Sequence, residues 1–185
     1  MGPTTVAAQG DEESIMVLPP ARTRDEAYVY LDLTPCGQCG SVEVDWRHGI
    51  AQVDGELVSA YDGTCQGCAA EREYLFRLPA REHAGGTPNF GGAEPSELID
   101  PGQWLDLADQ LMSAVPTDDP RAADESARFA AAAVAEVLKF VPPGAPAVPP
   151  ELFWSGAGRQ VYDEQPGRFR RDRLQVVLDT YSGVS

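Results

Sequence analysis

The chain has 185 residues, 43% hydrophobic and 23% charged, which is apolar material enough for one domain or two small ones. Fourteen Lys and Arg against 29 Asp and Glu leave a net charge of −15, and the pI is near 4.3. The acids are spread among aromatic and aliphatic residues, which excludes a simple acidic tail. Their sign argues against general affinity for phosphate backbones or anionic membrane surfaces.

Residues 1–25 open with small, polar and acidic residues and are expected to be disordered or extended. Asp11, Glu12 and Glu13 interrupt the first 20 residues, and no basic start or apolar run of leader length is present. The most apolar later stretch, 129–138, is broken by Glu136 and is too short to span a bilayer. A soluble, cytoplasmic protein with no membrane partner is the expectation. Thirteen of the 14 cations are Arg, a coding bias without mechanism.

From Glu26 the pattern turns to strands. Val29, Leu31 and Leu33 share one face of 28–33, and Val42, Val44 and Trp46 alternate with polar residues. Asp54-Gly55 is the dipeptide a two-residue hairpin prefers, and Tyr74, Phe76 and Leu78 alternate with Leu75 and Arg77. Residues 26–82 thus read as an antiparallel meander. A Gly/Pro-rich loop, 83–95, joins it to a helical region, 96–185. There Asp100-Pro101-Gly102-Gln103 is a helix start with a capping acid, a first-turn Pro and a capping-box Gln. Asp119-Pro120 starts a second helix with Phe129, Ala133, Val137 and Val141 on one stripe. Residues 141–150 hold five prolines and suit a stiff strap, and a third helix is expected from Pro166. The fold class expected is α+β, an N-terminal sheet packed on a C-terminal helical half.

All four cysteines fall in two C-x-x-C pairs, Cys36/Cys39 and Cys65/Cys68, with 25 residues between them. Two thiolates two residues apart on a tight turn can face one atom. A hairpin between the pairs brings both turns to the same end of the sheet, so four sulfurs can surround one Zn²⁺ at about 2.3 Å. Iron uses the same ligands. Two disulfides would need an oxidising compartment, and a thioredoxin-type redox pair would need a strand-to-helix turn.

With these pairs, residues 26–82 resemble the zinc ribbon family, in which two knuckles at the ends of β-hairpins clasp one zinc. Cys36, Cys39, Cys65 and Cys68 match its ligand positions. Gly40 follows the first pair as in the family, whereas Ala69 follows the second. The resemblance implies one structural Zn²⁺ per chain, its coordination closed by protein and without room for a catalytic water.

Other chemistry is sparse. There is no G-x-S-x-G, no spare cysteine, no phosphate-binding loop and no dinucleotide fingerprint, so no catalytic residue is assigned and the chain does not read as an enzyme. His48 and His83 read as surface residues. The Gly156-Ala-Gly158-Arg159 loop reads as a helix end or turn, with an anion nest as the alternative. Glu43/Asp45 and Glu71/Glu73 read as a solvated face. Phe153, Trp154 and Trp104 read as core or interface, and the 85–92 loop with Phe90 is a candidate mobile contact loop. Arg168, Arg170, Arg171 and Arg173 are a candidate partner-binding turn, unless Glu164, Arg168 and Asp172 pair along a helix.

Residues 26–82 carry ten acids and four Arg, and a four-thiolate zinc adds a formal −2, which disfavours nucleic acid. The leading expectation is a non-catalytic, zinc-binding protein-interaction module, similar in character to acidic immunity proteins that neutralise a basic partner. The alternatives are a nucleic-acid-associated zinc ribbon factor in transcription or replication, and an accessory subunit of an enzyme complex.

Overall fold

The computed structural model describes residues 17–81, 85–115 and 118–183. It is α+β, with a mostly antiparallel four-stranded sheet and five α-helices. The elements are β1 (Val17–Leu18), α1 (Arg24–Asp32), β2 (Arg47–Val53), β3 (Glu56–Thr64), β4 (Glu71–Arg77), α2 (Pro101–Ser113), α3 (Pro120–Lys139), α4 (Gly156–Glu164) and α5 (Arg171–Tyr181). Strand order is β1-β4-β3-β2, with β1 parallel to β4 and the rest antiparallel. No helix among the described residues is long and apolar enough to cross a membrane.

The β2–β3 hairpin forms where Asp54-Gly55 places it, with Val53 opposite Glu56 and positive φ at both turn residues (51° and 88°). That is the geometry a two-residue hairpin turn demands. Residues 28–33, expected as a strand, instead form the end of helix α1 and its C-cap Leu33. Thr23 caps it by accepting the Glu26 amide at 3.1 Å. Ala27 and Leu31, four apart, are buried, and Tyr28 and Tyr30 set their rings edge-on to Tyr61 and Phe76 of the sheet. Alternation of Val29, Leu31 and Leu33 was therefore misleading, because a cap and an i, i+4 face outweigh β-propensity here. Residues 41–46 form only the isolated bridge Val44–Cys65, not a strand of their own.

One continuous core runs from Tyr61 and Phe76 of the sheet through Phe90 and Ile99 to Trp104, Val134, Val137 and Leu174 of the helices. Phe90 is 4% exposed and its ring lies 4.8 Å from that of Trp104, so it is a core residue and not the contact residue of a loop. Trp104 and Phe153 are buried as expected, but Trp154 is half exposed beside Phe140.

Charges tie the two regions together from inside. Arg22, just before α1, donates from Nη2 to Glu26 at 2.7 Å and to Glu136 of α3 at 2.8 Å, and from Nη1 to the Glu94 carbonyl. Lys139 completes the set on Glu136. Two cations and two carboxylates balance, which is the condition for burying such groups. Burial still raises the Glu136 carboxyl above its ordinary range, against the pull of Arg22 and Lys139.

The helix starts at Asp100 and Asp119 are as the sequence requires, and Asp100 and Gln103 form a full capping box. Asp100 is fully buried and does more than cap α2. Its Oδ1 accepts the Gly102 and Gln103 amides at 2.9 and 3.0 Å, while Oδ2 accepts the Ser155 amide at 2.7 Å. Gly156–Arg159 is a helix end, the first turn of α4, as one of the two forms read from the sequence has it, and the carboxylate of Asp100 fills the place an external anion would take. A Cβ on Gly158 would stand 1.9 Å from Asp100 Oδ1, and one on Gly102 would stand 2.3 Å from the Gly158 carbonyl oxygen. The expected cost of Gly158→Ala is about 2–3 kcal/mol, because neither helix start can move without breaking these bonds. Chemical denaturation measures it; an unchanged midpoint would show that the two starts separate easily.

Candidate metal centre

Two backbone turns build the centre in the same way. In the first, the Gly40 amide donates to the Cys36 carbonyl and the Cys36 amide to the Ser41 carbonyl, both at 2.8 Å. In the second, the Ala69 amide donates to the Cys65 carbonyl at 2.8 Å and the Cys65 amide to the Ala70 carbonyl at 2.9 Å. The residue after each pair takes the left-handed conformation, with φ 77° at Gly40 and 59° at Ala69. Gln66 locks the turns together by donating its amide to the Glu43 carbonyl at 2.9 Å. Gly67 lets them close: a Cβ there would lie 3.0 Å from Cys39 Sγ and 2.9 Å from Ser41 Cβ. Gly37 meets no such neighbour.

The four sulfurs lie within 4.8 Å of one another. Cys36 and Cys68 are 3.7 Å apart, and Cys39 and Cys65 3.6 Å. Four sulfurs at about 2.3 Å from a tetrahedral ion are separated by about 3.8 Å, whereas a disulfide requires about 2.05 Å. The pairs that approach most closely join one cysteine of each turn, so each turn supplies half of a cage. Cys36 and Cys65 are buried and Cys39 and Cys68 exposed, which leaves one side open for entry of an ion.

Electrostatics of the cage suit a cation. The amides of Gln38 and Cys39 draw the Cys36 thiol down to about 6. Burial alone would raise Cys65, yet the amides of Cys68 and Gly67 leave it below its ordinary value. The Ala70 amide favours the Cys68 thiolate, but the sulfurs of Cys39, Cys36 and Cys65 beside it push that thiol up to about 12. Cys36 and Cys65 are thus biased toward the thiolate and Cys68 against it, an imbalance that a positive ion among the sulfurs would relieve. Soft sulfur donors in a tetrahedral array match zinc or iron.

Sequence reasoning missed Arg72. Its guanidinium lies between the rings of Trp46 and Tyr74, 5.2 and 5.3 Å from their centroids, and donates to the Thr34 carbonyl at 2.7 Å and the Tyr74 hydroxyl at 2.8 Å. Arg72 and Cys36 line one cavity of about 270 Å³. Arg72 shares the even-numbered side of β4 with Tyr74, but only the fold brings Trp46 against them.

The remaining candidates fall elsewhere. His48 stacks against Tyr61 at 4.7 Å on the outer strand, away from the cysteines, and its pKa is lowered by burial and by nearby Arg24. His83 lies outside the described residues. Asp45 accepts from Gln66 and Glu71 from Thr64, while Glu43 and Glu73 are exposed. The arginine turn does not form the ladder through Glu164, Arg168 and Asp172. Residues Pro166–Phe169 are a 3-10 turn and α5 begins only at Arg171, so the i, i+4 spacing is lost. Arg168 instead grips Asp109 of α2 with two bonds of 2.7 Å, Arg170 pairs with Asp172, and Arg171 donates to the carbonyls of Val141 and Pro142.

The chain matches no protein-family model, no curated protein and no solved structure.

Ala69 carries the conformational cost that Gly40 avoids. Ala69→Gly is expected to leave metal binding intact and to be neutral or stabilising by up to about 1 kcal/mol, as relief of the left-handed strain offsets the freer unfolded chain. Thermal unfolding of metal-loaded protein reads this, and a loss of more than about 1 kcal/mol would mean that the Ala69 methyl group packs productively.

Proposed function

We propose that the four cysteines hold one structural Zn²⁺ in a zinc ribbon-like arrangement, and that the chain is a non-catalytic protein-interaction module whose acidic body takes a basic partner. The observation that carries the metal reading is the convergence of four sulfurs at distances suited to a tetrahedral ion. Zinc is favoured over iron, which uses the same four thiolates, because the two-turn arrangement resembles the zinc ribbon and nothing on the chain suggests a redox partner. The ion closes a sheet region whose fully buried hydrophobic side chains are few, chiefly Val58, Tyr61, Leu75 and Phe76. Structural zinc contributes an apparent 10–16 kcal/mol, roughly, to such small units.

Charge supports the partner reading. Residues 26–82 carry net −6 before the metal centre adds its own −2, and opposite charge raises association rates by roughly 10–10³. The outer strand β2 adds a surface: Ile50 and Leu57 are each 57% exposed on adjacent strands of the hairpin, next to acids at 54 and 56. A nucleic-acid-associated factor is the second reading and has only the arginine turn in its favour, three of whose four guanidinium groups are engaged within the chain. The role of accessory subunit in an enzyme complex shares the same surfaces.

Fluorescence anisotropy of labelled, zinc-loaded protein against a panel of basic proteins, a duplex DNA and a single-stranded RNA separates the first two readings. Binding to a basic protein is expected to weaken steeply as salt rises above about 0.15 M, where neither nucleic acid binds. Tight DNA or RNA binding at that salt, with no basic protein bound, would replace the proposal by the second reading.

A further inference from the structure

A cavity of about 590 Å³, separate from the cysteine centre, lies where the 3-10 turn at Pro166–Phe169 meets α5. That volume is in the range of small-ligand sites. Its floor is apolar, made by Leu105 of α2 and by Leu174 and Val177 of α5. Its rim holds Arg168, Arg170 and Arg173 together with one acid, Asp172. In a chain of net charge −15, this is a concentration of positive charge over an apolar floor.

The three guanidinium groups differ in their freedom. Arg168 is fixed by its two-bond grip on Asp109, which turns it into part of the wall. Arg170 pairs with Asp172 at 3.0 and 3.1 Å, but both side chains are more than half exposed, so that pair is weak and exchangeable. Arg173 makes no side-chain hydrogen bond or ion pair among the described residues. The positive end of α5, which begins at Arg171 without a side-chain cap, points to the same rim.

We propose that this cavity binds a small organic anion, a carboxylate or phosphate head carried on a short apolar chain. Arg170 and Arg173 clasp the head, and the chain lies on Leu105, Leu174 and Val177. Planar guanidinium groups match both head groups by paired hydrogen bonds, and the floor adds affinity in proportion to the apolar surface it covers. The head alone would meet a rim exposed to solvent; the tail alone would leave the arginines unused. Neither part suffices. This site does not rest on the metal reading, since its residues come from α2, the 3-10 turn and α5, remote in sequence from the cysteines.

Isothermal titration of the zinc-loaded protein with hexyl phosphate and with hexanoate tests the proposal, with hexanol and inorganic phosphate as the tail-only and head-only controls. At least one of the two amphiphilic anions is expected to bind about tenfold or more tighter than either control. Arg170→Gln/Arg173→Gln should weaken that binding about tenfold or more, and Val177→Asp should weaken it too, with far-UV circular dichroism and zinc content unchanged in both. Binding of hexyl phosphate alone, or of hexanoate alone, supports the site and identifies its head group. The proposal is overturned if neither anion binds, if inorganic phosphate binds as tightly as hexyl phosphate, or if the double variant binds as the parent does.

Discussion

Four sulfur atoms in a space less than 5 Å across are the constraint on which the N-terminal half depends. Bare thiolates repel, and the sulfurs of Cys36, Cys39 and Cys65 already hold the Cys68 thiol protonated to about 12. A bound cation would turn that repulsion into a clamp. It would join the turn that follows α1 to the turn that follows β3, two segments that also meet through the bridge Val44–Cys65 and the bonds of Gln66 to Glu43 and Asp45.

The helical half is organised differently, by buried polar groups whose requirements are met inside the chain. Asp100 satisfies amides from two helix starts, and Gly102 and Gly158 allow those starts to touch. Arg22 carries positive charge from the N-terminal side into α3 and meets Glu26 and Glu136 there. An unpaired charge at such a depth would be strongly destabilising, so each member of the set enforces the position of the others. These contacts fix how sheet, loop and helices meet, and they leave the outer surface to the excess acids.

Local signals with a definite backbone consequence were legible in the sequence. The hairpin at Asp54-Gly55 and the capped starts at Asp100 and Asp119 form where their residues demand them, and the spacing of the cysteine pairs anticipates sulfurs that do converge. Readings that failed needed knowledge of distant partners. The residues 28–33 alternate like a strand, but the Thr23 cap and the sheet beneath select a helix. The Gly156–Arg159 segment, legible as a helix end or turn, is the start of α4, and its entry is held by Asp100, more than fifty residues earlier. The glycine-rich 85–92 stretch offers a candidate contact loop, but Phe90 in it packs its ring beside Trp104. Arg168 turned from Asp172 to Asp109 because the 3-10 turn breaks the helical spacing. The Arg72 guanidinium between Trp46 and Tyr74 was overlooked for the same reason: its partners are joined only by the folding of the sheet.

The central claim is tested most directly by X-ray absorption at the zinc edge on protein purified without chelators. The account predicts one zinc per chain with four sulfur neighbours at about 2.3 Å and no nitrogen or oxygen in the first coordination sphere. A protein that carries no metal, or a zinc bound through fewer than three sulfurs, would contradict it.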